Sequence, residues 1–375
     1  MEAQLQPPDD FKCPISLEIM SDPVILPSGH TFDRASIQRW LDSGHRTCPI
    51  TQLPLPPHPT LIPNLSLRSL ICLWSKSHNH PLPQPLPYSS TTTPSIHSLI
   101  LSLSSPSSTL PHKLHSLHHL NHLSRHSRHL LTDSGAIPAL LACANDPRLQ
   151  YPSLLVLFNL SDTDHNKVGL VAEGVVPTLV SALSTGSPAA RALAATTTTS
   201  LALVDVNKAT IGSYPGVIPA LIRLLSDVDH PRGRREAATA LYTLCAFPDN
   251  QRRAAEAGAA QPLLGMGLHS AERPAEVLSL MAKCKEGREA IEKCEGCVGV
   301  LVRVLREGSS RSKQHALATL ASLCEHNACL AWDARREGAL CCGAQMVKDE
   351  NVKIRRNAMR LVRALEKGSD SNSTR

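Results

Sequence analysis

Aromatic side chains are scarce in this chain: three Trp, four Tyr and four Phe among 375 residues. Stacking platforms for single-stranded nucleic acid need more of them, so no nucleic-acid partner is expected. Long apolar runs are missing as well. No window reaches the roughly 18 apolar residues of a membrane-spanning helix, and no apolar leader opens the chain. Twelve cysteines occur without the paired spacing of a disulfide framework. That pattern points to a reducing, cytoplasmic compartment, with the nucleus as a second location. Charge is not extreme either, with 38 Lys and Arg against 32 Asp and Glu. The basic clusters at Arg232 to Arg235, Arg252-Arg253, Arg335-Arg336 and Lys353 to Arg363 are mixed with acids and read as solvated helix faces. A Ser–His–Asp set, a phosphate-cradling glycine loop and a metal-hydrolase motif are all absent, so no cofactor and no covalent nucleophile are implied.

What is present begins in residues 6–76. Phe11-Lys12-Cys13-Pro14-Ile15-Ser16 is followed by Asp22-Pro23-Val24, Ser28-Gly29-His30-Thr31-Phe32-Asp33-Arg34, Cys48-Pro49-Ile50-Thr51 and Pro63-Asn64. Two short apolar runs around Pro-Ser-Gly predict a hairpin between Val24 and Phe32. Asp33 is a suitable N-cap for a helix carrying Ile37, Trp40 and Leu41 on one face and stopping near Gly44. A second helix places Leu67, Leu70, Ile71 and Trp74 at the spacing of a buried stripe. Two structural zinc ions would need four Cys or His each. Up to Thr60 only Cys13, His30, His45, Cys48 and His58 are available, short of the eight needed, so the loops must be held without metal. Ser16, Asp22, His30, Asp33, Arg34, Thr51 and Asn64 are the polar residues placed to do it, by side-chain-to-backbone hydrogen bonds and a charged pair.

These motifs, in this order and spacing, resemble the U-box, the zinc-free relative of the RING domain found in ubiquitin ligases. The resemblance implies that a ubiquitin-conjugating enzyme docks on Ile15, Leu17 and Pro49, with Trp40 at the side of the groove. Trp40 also shares a face with Ile37 and Leu41, so a core role stands beside the docking one. Some relatives carry a cation after the Cys-Pro-x-Thr motif that clamps ubiquitin; Gln52 stands there and brings no charge.

Residues 77–95 turn to Pro, Ser and Thr and read as a semi-extended linker. Residues 96–368 read as an α-solenoid. Its first part holds seven His between Pro111 and Leu131: His112, His115, His118, His119, His122, His126 and His129. Leu114, Leu117, Leu120 and Leu123 favour a helix with the His on its wet side over a metal-binding or pH-sensing tract. From Gly135 a repeat takes over, as Gly135-Ala136-Ile137-Pro138, Gly174-Val175-Val176-Pro177 and Gly216-Val217-Ile218-Pro219, with fainter copies from Gly258, Gly296 and Gly338. A period of about 40 residues marks a helical solenoid of about six units. Long helices with small and aliphatic stripes follow, such as Ala237, Leu241, Leu244 and Cys245, and a charged final helix caps the stack. Cys294-x-x-Cys297 fits a turn between helices better than a metal knuckle. Thr196 to Thr199 is a β-branched run that weakens its helix locally, with plain surface as the default reading. Residues 369–375 read as a disordered tail.

This array resembles the armadillo repeat, and the combination resembles the plant U-box ubiquitin ligases. The fold class expected is mainly α: a small α+β U-box followed by an armadillo-type solenoid. The resemblance implies a ubiquitin-conjugating enzyme, ubiquitin and a protein substrate as partners, with receptors and kinases as candidate substrate classes. The substrate groove would run along the long helices near Asn159, Ser200, Thr243 and Ser322. A non-catalytic armadillo adaptor with a degenerate U-box is the alternative.

Overall fold

A computed structural model describes residues 7–56, 59, 61–78, 95–126, 131, 135–267 and 272–370. Most of the expected linker, His129 and the end of the tail lie outside them. Two compact units divide the chain between Pro94 and Ser95.

In the first unit, β1 (Pro23–Ile25) pairs antiparallel with β2 (Thr31–Asp33), Val24 opposite Phe32, and with β3 (Ile62–Pro63), giving the order β2-β1-β3. Gly29, at φ +82°, makes the hairpin turn that other residues enter only under strain. Helix α1 (Arg34–Asp42) buries Ile37 and Leu41, and α2 (Leu65–Ser77) buries Ile71. With Cys13, Met20, Val24, Leu26, Phe32, Cys48 and Leu55 they form one small core. Two expectations fail here. Leu70 is 54 % exposed, because only Leu67, Ile71 and Trp74 of the expected stripe turn toward the core. Asp33 occupies the N-cap position of α1 but makes no side-chain cap bond; its carboxylate is used elsewhere.

The second unit is helical from α3 (Ile96–Ser104) and α4 (Leu110–His126) to the final helix Val352–Asp370. Gly135, Gly174, Gly216, Gly258, Gly296 and Gly338 all take positive φ, between 69° and 92°. Each turns the chain from one helix into the next, which explains why glycine recurs at this period. A representative repeat has a short helix Asp164–Ala172, a second helix Val175–Thr185 and a long helix Pro188–Leu201. Long helices pack on the long helices of adjacent repeats, and one apolar core runs from Leu99 to Leu365.

Some sequence readings change. In α4, Leu117 and Leu120 are fully buried but Leu114 is 39 % exposed. A three-residue period slips by about 60° per step on a 3.6-residue helix, so four such leucines cannot share one face. The histidines His112, His115, His118 and His122 are exposed, and His119 is half-buried. The Thr196 to Thr199 run is neither surface nor a break. Each hydroxyl donates to the carbonyl four residues back, and Thr197 and Thr198 are fully buried.

Candidate functional site

Two loops of the first unit share one construction. Leu17 N–H donates to Cys13 O at 2.8 Å, and Gln52 N–H donates to Cys48 O at 2.8 Å. Cys13 N–H then donates to Glu18 O, and Cys48 N–H to Leu53 O. The matching bridges Lys12↔Ile19 and Thr47↔Pro54 close each loop at its base. Leu17 (φ 60°) and Gln52 (φ 58°) are the only non-glycine residues with positive φ among those described. That conformation costs an L-residue about 1–2 kcal/mol, so each loop tip is held in place by its surroundings. The echo of Cys13-Pro14-Ile15-Ser16 in Cys48-Pro49-Ile50-Thr51 was the sequence signal for this symmetry.

Side-chain hydrogen bonds and an ion pair fasten the loops. Cys13 Sγ accepts Asp33 N–H at 3.3 Å, and Cys48 Sγ accepts Ser28 Oγ–H at 3.1 Å. Asp33 Oδ1 accepts Ser21 N–H (2.8 Å), Ser21 Oγ–H (3.2 Å) and Asp22 N–H (2.9 Å). Asp22 in turn holds Arg34 Nε at 2.6 Å, with Arg68 at 3.9 Å. Asn64 N–H donates to Pro23 O, its Nδ2 donates to Thr31 Oγ1, and its Oδ1 caps α2 by accepting Leu67 N–H. Cross-linking is therefore carried by Asp22, Asp33, Arg34 and Asn64, joined by Ser21 and Ser28, which sequence reasoning missed. Ser16, Thr51 and His30 act only within their own turns. Ser16 and Thr51 accept weakly from Glu18 and Leu53, and His30 Nδ1 donates to Ser28 O. Among the described residues no three His, Cys, Asp or Glu side chains are grouped to hold a metal ion.

The tips present an apolar surface. Leu17 is 75 % exposed, with Ile50 (46 %) and Leu53 (59 %) also open. Pro49 is half-buried and Gln52 exposed. Ile15 departs from expectation, since it is half-buried and packs against the small core. For Trp40 the structure shows the core role. Its ring packs on the core, its Nε1–H donates to Thr47 O at 2.9 Å, and His45 stacks on it at 3.9 Å.

In the second unit the expected groove residues are largely spent on stitching repeats together. Asn159 Nδ2 donates to Asn121 Oδ1 and Ser124 Oγ in the preceding repeat. Ser200 Oγ donates to Ser161 O, and Thr243 Oγ1 to Thr239 O within its own helix. Ser322 is only 6 % exposed and donates to Ala282 O, so it offers nothing to a ligand. An unforeseen pair does the same on the short helices. Asn207 Nδ2 donates to Lys167 O and Leu201 O, and Asn250 Nδ2 to Lys208 O and Leu244 O.

Hydrogen-bonded twin loops and a glycine-punctuated helical stack define a two-part class of protein. Residues 7–80 match the family model of the U-box domain, and residues 95–339 that of the plant U-box protein ARM repeat region. U-box domain-containing protein 8 of Arabidopsis thaliana is 48 % identical over 366 residues, covering 96 % of this chain and 97 % of that one. U-box domain-containing protein 16 of the same plant is 31 % identical, covering 84 % of this chain and 48 % of its own length. Crystal structures of computationally designed armadillo repeat proteins for modular peptide recognition superpose with a TM-score of 0.51 at 17 % identity. That match covers 72 % of this chain and 99 % of the designed one, and establishes fold alone. The chain belongs to the plant U-box proteins with an ARM repeat region.

Proposed function

We propose that the chain is a ubiquitin-protein ligase of the U-box type, in the cytoplasm and also the nucleus. Leu17, on a tip fixed by the Cys13–Asp33 contact, and Pro49, Ile50 and Leu53, on a tip fixed by the Cys48–Ser28 contact, dock a ubiquitin-charged conjugating enzyme. The exposed Leu17 held at positive φ carries this reading, since a strained, open leucine has no role in the core. A small apolar knob of this kind suits a transient interface with a central hot spot. Trp40 and Ile15 support the knob from beneath.

The thioester brings its own leaving group, so the ligase contributes proximity and a bias toward the reactive placement of ubiquitin. No covalent ligase intermediate is needed. The ARM array recruits the protein substrate. Gln52, uncharged where some relatives carry a cation, is the observation that favours a second reading, an adaptor with a degenerate U-box.

The test is discharge of a panel of ubiquitin-charged conjugating enzymes by the full chain. Leu17→Ala and Pro49→Ala should abolish discharge with the thermal melt unchanged. Full activity in both variants removes the docking assignment, and no discharge by the parent chain favours the adaptor.

A further inference from the structure

At the C-terminal end of the row of long helices lies a polar recess of about 620 Å³. Tyr242, Arg311, Gln314, His315 and Lys353 line it, from the helices Pro231–Cys245, Ser310–His326 and Val352–Asp370. Its one acid, Glu272, and the nearby Glu276 and Glu325 are already engaged. Glu276, 1 % exposed, accepts from Arg273 at 2.5 Å and from Arg311. Glu272 accepts the Ser309 hydroxyl at 2.7 Å, and Glu325 holds Arg360. His315 shares a hydrogen bond with Ser279, and burial keeps its pKa below the usual histidine value, so it adds no charge at neutral pH.

Cations are left over. Lys353, Arg356 and Arg363 are exposed, and none has an ion-pair partner among the described residues. With Arg360 they recur along one side of Val352–Asp370, while Ile354, Ala358, Leu361 and Leu365 bury the other. From Lys353 to Arg363 the helix rises about 15 Å, the reach of about five extended residues.

We propose that this recess and the basic stripe running from it bind an extended acidic segment of a partner protein, through its carboxylate or phosphoryl groups. The inference rests on reading the array as the substrate arm. Charge complementarity selects a peptide over a nucleic acid. Glu272 and Glu325 break the positive field, and an unbroken row of phosphates would meet both, whereas a peptide sets its acids only opposite cations. Tyr242, the one aromatic in the recess, already has the Arg273 guanidinium over its ring at 4.7 Å, so a base would have to compete for that face.

The experiment is fluorescence anisotropy of the full chain with three labelled nonapeptides. One alternates Glu with Gly, one alternates phosphoserine with Gly, and one alternates Gln with Gly. Single-stranded DNA of equal charge is the competitor. The expected result is binding of one or both acidic peptides but not the Gln peptide, weakening about tenfold between about 50 and about 300 mM salt. The two acidic peptides distinguish carboxylate from phosphoryl recognition. Lys353→Glu with Arg356→Glu should weaken binding at least about tenfold, and Arg303→Glu on the separate helix Cys297–Glu307 should leave it unchanged. If the double variant melts early, Lys353→Gln with Arg356→Gln carries the same test. Equal loss in Arg303→Glu, tighter binding of DNA, or no binding of either acidic peptide overturns the proposal. Discharge of the charged conjugating enzyme, measured on the same samples, reports separately on the ligase reading.

Discussion

Removing the Asp33 carboxylate should unfasten the first unit more than any single surface change. In Asp33→Ala, Ser21 N–H, Ser21 Oγ–H and Asp22 N–H lose the acceptor they share at 2.8, 3.2 and 2.9 Å. Hydrogen bonds to a charged group are worth about 1.5–3 kcal/mol each, but these share one oxygen and water replaces part of them, so the expected cost is about 2–4 kcal/mol. The loop they hold also carries Asp22, whose pair with Arg34 at 2.6 Å then loosens. Asp33→Asn keeps an acceptor oxygen in place and should cost about 1 kcal/mol. Two of the three tryptophans, Trp40 and Trp74, lie in this unit, so urea unfolding of the full chain followed by tryptophan fluorescence reports on it. With a slope of about 1 kcal/mol per M, the alanine variant should unfold about 2–4 M earlier and the asparagine variant about 1 M earlier. Equal shifts in the two variants would mean that charge, not the shared acceptor, does the holding. A shift below about 0.5 M for alanine would refute the fastening argument altogether.

Other changes probe the loops and the array. At Gln52, φ 58°, glycine should leave stability within about 0.5 kcal/mol while valine costs about 2 kcal/mol in the same unfolding assay. Gly169 and Gly212 occupy matching short helices one repeat apart, and alanine should act with opposite signs. A Cβ at Gly212 would meet Asn250 Oδ1 at 2.1 Å, costing about 2–3 kcal/mol, whereas Gly169 has nothing within 4 Å and gains about 0.5–1 kcal/mol of helix propensity. The Arg360 hydrogen bond lowers the Glu325 pKa below its ordinary value. A carboxyl whose pKa is lower folded than unfolded stabilises near neutrality and loses that contribution as pH falls through the folded value. Because the pair is partly exposed, Glu325→Gln should destabilise the array at pH 7 by less than about 1 kcal/mol. The gap between variant and parent should shrink in thermal melts as pH falls below the ordinary carboxyl range.

The features that proved legible were those where one residue type has one physical use. Positive φ makes glycine recur at Gly135, Gly174 and Gly216, and an antiparallel hairpin needs the turn at Gly29. Patterns that leaned on approximate periodicity were less dependable. Leu70 and Leu114 fell outside the buried faces because a helix turns 100° per residue and spacing alone does not fix the edge of a stripe. Side-chain partners were the least legible. Asp33 is as good a cap in sequence as a loop clamp, and only the position of Ser21 and Asp22 opposite β2 decides between them. Ser200 and Ser322 show the same limit, since a hydroxyl on a long helix faces either a ligand or the next repeat, and here both bond across the repeat boundary.

The central claim is that a metal-free, hydrogen-bonded pair of loops presents Leu17 and its apolar neighbours to a thioester-charged conjugating enzyme. Single-turnover discharge by the full chain, treated with a strong chelator, tests it most directly. The account predicts full discharge after chelation and none from Leu17→Ala with an unaltered melt. Loss of activity on chelation, or undiminished activity in Leu17→Ala, would contradict it.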